Sequence, residues 1–155
     1  MDFETYAMAG PRKRGLATKP SSMSYEEMSL DDRVAYCGGK LLDAAAAFHK
    51  LHLKVNGQGA YAAHKALGDL YEQLPDLTDA VLEGYQGAAE VILDFEEENY
   101  AKTLNSVEDA VSYIRELSGK VSMLQQMMPY TEVVNDLDNI KSLFNSTKYK
   151  LLFLK

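Results

Sequence analysis

Tryptophan is absent from this chain of 155 residues, and cysteine occurs once, proline four times and histidine three times. The single thiol, Cys37, excludes a disulfide framework and any multi-cysteine zinc site, and it suits a reducing cytosol. No apolar run approaches the ~20 residues that a membrane-spanning helix needs. The N-terminal segment also lacks the apolar core of a secretory leader. We therefore expect a cytoplasmic protein with no membrane partner. Compositional extremes are lacking too. A chain 46% hydrophobic and 25% charged is not disordered throughout, and its length suits one compact domain with a substantial core.

Charge is present but unevenly placed. Sixteen Lys and Arg against 23 Asp and Glu leave a net charge of −7. Residues 1–20 carry Arg12, Lys13, Arg14 and Lys19 against Asp2 and Glu4, a net of +2, so the other 135 residues carry −9. Residues 1–25 hold Gly10, Pro11, Gly15 and Pro20 without apolar periodicity and read as a flexible basic arm. Residues 26–155 read as the folded domain.

Helical patterning dominates that domain. Ser29 followed by Asp31 and Asp32 offers a cap and an acidic first turn. Leu41, Ala45, Phe48, His52 and Val55 then form one stripe, which ends at Asn56-Gly57. A second pattern opens near Ala60 and carries His64, Leu67, Tyr71, Leu74, Thr78 and Val81, with Pro75 inside it, where a kink or local break is expected. Gly84 and Gly87 weaken its end, and Ala88–Leu93 is expected to form a short crossing helix. Ser106 with Asp109 caps a third helix bearing Ile114, Leu117, Val121 and Leu124. Pro129 separates it from a fourth with Val133, Leu137, Ile140, Phe144 and Leu151. Four striped helices without a strand-rich segment predict an all-α four-helix bundle, with a long crossover between the second and third helices.

Candidate chemistry centres on the histidines. His52 and His64 lie on the apolar stripes of consecutive helices joined by a short glycine turn, an arrangement that favours a shared role over two unrelated core histidines. Asp79 and Glu83, spaced i and i+4, place two carboxylates on one face of the second helix. Asp79 stands fifteen residues after His64, about 22 Å along a straight helix at 1.5 Å per residue. One ion cannot reach both in one chain, so a common site needs a second copy packed antiparallel across a two-fold axis. A di-iron centre within the bundle would show Glu-x-x-His pairs, and no histidine here has glutamate three residues before it. His49 reads as a polar flank, Cys37 as a small buried side chain, and Met123, Met127 and Met128 as core filler.

The run from His52 through Val55, Gly57 and Tyr61 to His64, followed by Asp79-Ala-Val-Leu-Glu83, resembles the signature of Dps-type miniferritins, the DNA-protection-during-starvation family of the ferritin-like superfamily. The resemblance spans residues 30–155. It implies a ferritin-like bundle in a homo-oligomeric shell, dodecameric by family analogy. Ferroxidase sites would lie between subunits, with His52 and His64 from one subunit and Asp79 and Glu83 from its neighbour. The implied cargo is iron, oxidised by peroxide or oxygen and stored as ferric mineral. The chain departs from the pattern at Leu53, where the family carries tryptophan, and at Gly68, where it often carries an acid. The arm residues Arg12, Lys13, Arg14 and Lys19 are candidates for DNA contact, since basic tails neutralise phosphates. The alternative expectation is a non-catalytic structural or DNA-associating assembly of the same fold.

Overall fold

The computed structural model describes residues 12–13, 23–95 and 102–154. Four long helices make up most of it: α1 (Leu30–His52), α2 (Ala60–Ala89), α3 (Val107–Met127) and α4 (Thr131–Phe153). Two two-residue strands, β1 (Arg12–Lys13) and β2 (Val91–Ile92), pair in parallel with Arg12 opposite Val91 and Lys13 opposite Ile92. A single 3-10 turn, Tyr25–Glu27, precedes α1. The chain is all-α in its architecture, and the four helices pack against one another.

Local chemistry explains where the helices begin. The Ser29 hydroxyl accepts the Asp32 amide at 3.2 Å, and Asp31 and Asp32 occupy the positive first turn of α1. Ser106 accepts the Asp109 amide at 3.1 Å, while the Asp109 carboxylate takes the Asn105 amide at 2.8 Å, so one free donor of the first turn of α3 and one just before it are satisfied. Between α1 and α2, Gly57 and Gly59 take φ of 85° and 77°, a left-handed geometry that costs a side-chain-bearing residue more.

Helix α2 differs from the sequence expectation at two places. It continues through Pro75 without a break, and it runs over Gly84 and Gly87 to Ala89, with Val91–Ile92 extended where a short helix was expected. The reason is tertiary. Leu67, Leu70, Leu74, Val81, Leu82 and Tyr85 are buried along one side of α2, and each fully buried large apolar side chain is worth roughly 1.5–3 kcal/mol. That total outweighs one lost hydrogen bond and two weak helix formers. Gly84 sits against α4, where an added Cβ would meet Val133 and Asp136 at ordinary contact distance. The helix stops only at Glu90, whose φ of 54° turns the chain out.

The core joins all four helices. Phe48, Leu67, Leu70, Tyr113, Ile114, Leu117, Leu137 and Phe144 are fully buried, and the Phe48 and Tyr113 rings meet at 5.6 Å. Buried Thr78 and Thr147 return their hydroxyls to the carbonyls of Leu74 and Leu143, four residues back, so neither leaves an unpaired polar group. Helix α1 packs on α2 and α3, and α4 packs on the same two. Named contacts give the directions. Tyr85, late in α2, donates to Asp31, early in α1; Arg33, early in α1, reaches Met127 at the end of α3. Lys150, late in α4, pairs with Asp69 in the first half of α2. Lys54, just past α1, donates to the Leu104 carbonyl, just before α3. Neighbouring helices therefore run antiparallel, and α2 and α3 run the same way.

Candidate metal-binding site

His52 ends α1 and His64 lies in the second turn of α2, and the tight 53–59 link brings them face to face. Their rings stack at 3.7 Å between centroids with a 20° tilt, both half-buried. Each Nδ1 donates to the other residue's backbone carbonyl: His52 Nδ1 to the His64 carbonyl at 2.7 Å, and His64 Nδ1 to the His52 carbonyl at 3.0 Å. A carbonyl oxygen only accepts, so each Nδ1 carries a proton. In a neutral imidazole with Nδ1 protonated, the lone pair is on Nε2. A backbone carbonyl fixing one nitrogen of a histidine is also the support that metal-ligating histidines use.

Other rings extend the cluster. Tyr71 stacks on His49 at 3.9 Å with a 7° tilt and meets the His52 ring edge-on at 5.1 Å. Tyr71 had been legible only as part of the apolar stripe of α2; its place between two histidines of α1 needed the helix pairing to be known. Gly68 lies under His52, where an added Cβ would stand 3.4 Å from the ring carbon Cε1. Its neighbour Asp69 is committed elsewhere, to Lys150 at 3.0 Å.

Asp79 and Glu83 stand on the far half of α2, both exposed and without an ion pair or hydrogen bond among the described residues. The structure thus brings together His52 and His64 and leaves the two carboxylates apart from them in one chain. Among the described residues of a single chain, no three His, Cys, Asp or Glu groups gather closely enough to hold a metal ion. The α1–α2 face is electrically polar: His49, Lys50 and Lys65 are exposed near the histidine end, and Glu72, Asp76, Asp79 and Glu83 farther along α2. Of the arm residues expected to contact DNA, Arg12 and Lys13 lie in β1, whereas Arg14 and Lys19 lie outside the described residues.

Cys37 is buried, and burial pushes its thiol up to about 12, which removes it from thiolate chemistry at neutral pH. No helix among the described residues is long and apolar enough to cross a membrane.

No solved structure matches the chain. A curated relative, an uncharacterized 14.6 kDa protein in the mobD-ri intergenic region of Enterobacteria phage T4, is 26% identical over 117 residues, covering 73% of this chain and 83% of the relative. The model of a family of unknown function, DUF5856, matches residues 52–151, a stretch that begins at His52, includes His64, Asp79 and Glu83, and ends in the last turns of α4. The chain belongs to that family.

Proposed function

We propose that this protein is a ferritin-like iron-oxidising and iron-sequestering subunit, and that its reaction centre is completed between two copies of the chain. The observation that carries the reading is the reciprocal pair of Nδ1–H···O=C bonds. It holds two imidazoles side by side, each with its Nδ1 engaged and its Nε2 without a partner among the described residues. The bonds satisfy the polar groups of a half-buried histidine pair, and for a borderline divalent cation they also fix the ring orientation of a half-site.

The carboxylate half comes from the neighbour. Two copies related by a two-fold axis, with α2 against α2 antiparallel and His64 opposite the Asp79–Glu83 segment of the other copy, would bring the exposed Lys65 to those same carboxylates, while Glu72 would lie beside its own copy near the axis. In that arrangement the Nε2 atoms of His52 and His64 bind Fe2+ together with the partner subunit's Asp79 and the partner subunit's Glu83. The carboxylates favour the Fe3+ product, and the imidazoles hold Fe2+. The oxidant is peroxide or oxygen, which takes electrons from iron, and the ferric product is stored as mineral within a closed shell of subunits.

The helix arrangement supports the same reading. Helices α2 and α3 run the same way and each packs against α1 and α4, an arrangement shared by ferritin-like bundles whose second and third helices are joined by a crossover. The negative body of the chain suits a cation store. Anaerobic Fe2+ followed by peroxide is expected to give a rapid ferric absorbance rise, lost in the double variant His52→Ala/Glu83→Ala. Unchanged iron oxidation in that variant, or a strictly monomeric protein by light scattering, overturns the proposal.

A further inference from the structure

At the end of the bundle where α1 finishes and α2 and α3 begin, the helices leave a cavity of about 550 Å³. Its floor is core: Leu51, Ala63, Val111 and Leu151 are each buried. Its rim is apolar on the α4 side, where Leu152 and Leu154 are 39% and 45% exposed. On the α3 side the rim is polar, with Glu108, Ser112 and Arg115. Asn56 and Gln58 of the α1–α2 link and Asn105 and Ser106 before α3 add further polar groups to the rim, and the volume falls in the range of small-molecule sites.

The charges in this lining differ in how they are engaged. Lys54 is held by the Leu104 carbonyl at 2.6 Å and by Asn105. Glu108 lies in the first turn of α3, where the helix dipole already favours a negative charge. Arg115 has no ion pair or hydrogen bond among the described residues. Glu108 has no such partner either, and of the two Arg115 is the group that can receive a carboxylate, through a planar fork of donors. Helix α2, opening at Gly59 and Ala60 on the same cavity, has no side-chain cap and no acidic residue in its first turn, while α1 and α4 bring their C-terminal ends to the cavity at Leu51 and Leu151.

We propose that this cavity binds a small amphipathic anion, a carboxylate on an apolar tail, with the tail on the Leu51–Leu151 floor and the carboxylate on Arg115. The site is separate from the histidine pair and does not depend on the iron reading. Decanoate, titrated into the full chain by calorimetry, is the probe. It is expected to bind, with decanol roughly tenfold or more weaker, because the charged hydrogen bond to Arg115 is lost. Arg115→Gln should bring decanoate down to the decanol level and leave decanol unchanged. Ser112→Trp, a change at an exposed position on the rim, should block both ligands while far-UV dichroism and thermal melting stay as in the parent. Absence of decanoate binding, equal binding of decanol, indifference to Arg115→Gln, or inorganic phosphate binding as tightly as decanoate would each overturn the proposal.

Discussion

Glu116 is a carboxylate held between two lysines. The Lys102 ammonium donates to it at 2.9 Å and the Lys40 ammonium at 3.0 Å, and these partners hold its carboxyl down at about 2. A carboxyl with a lowered pKa in the fold contributes stability that is complete above the ordinary carboxylate range and is lost as pH falls through the folded value. The window here is from about pH 4.5 down to about 2. Because the Glu116 side chain is 39% exposed, solvent and salt screen most of the effect. Glu116→Gln should therefore cost less than roughly 1 kcal/mol at neutral pH. The gap to the parent should close as pH approaches the lower end of the window, as urea unfolding at stepped pH would show. A constant gap across that range would mean that the ion pairs do not form in solution.

At the scale of elements, the glycines of the helices separate packing from propensity. Gly119 on α3 has open space where a Cβ would stand, whereas a Cβ at Gly38 on α1 would lie 2.5 Å from a methyl of Leu82 on α2. Gly119→Ala should raise stability by about 0.5–1 kcal/mol through helix propensity alone. The same change at Gly38 should lower it by about 1–3 kcal/mol, since Leu82 is buried and has little room to move. Thermal or denaturant melts of the two variants should therefore move in opposite directions. The same distinction explains what was legible in the helices. Ser29, Asp32, Ser106 and Asp109 announced two helix starts because capping is local chemistry within four residues. The end of α2 was not legible, because Pro75, Gly84 and Gly87 are local signals for a break, while the burial of Leu74, Val81 and Tyr85 that overrides them is contributed by other helices.

On the scale of the whole molecule, the proposed site makes an arithmetic prediction about mixed assemblies. Take one variant without the imidazoles, His52→Ala/His64→Ala, and another without the carboxylates, Asp79→Ala/Glu83→Ala. Each alone should fail to oxidise Fe2+ rapidly. When the two are unfolded together and refolded, half of the two-fold pairs are mixed, and each mixed pair regains one of its two sites. Roughly a quarter of the parental activity should return. No return, with mixed assemblies shown by native mass spectrometry, would place the ligands in one chain or remove them from the reaction.

The amino-acid sequence alone determined the all-α class, four helices, most of their buried stripes and the short link that pairs α1 with α2. Each follows from contacts within one or two turns, where spacing is structure. The sequence also singled out His52, His64, Asp79 and Glu83, since their identity and separation are written in the chain. Only the tertiary structure decided that the two imidazoles stack and spend both Nδ1 protons on each other's backbone. The same holds for Tyr71 between His49 and His52, and for Arg115 overlooking a cavity unpaired. Those relations depend on how helix faces meet across the bundle, and the energy that selects one meeting over another is summed from burial over the whole core.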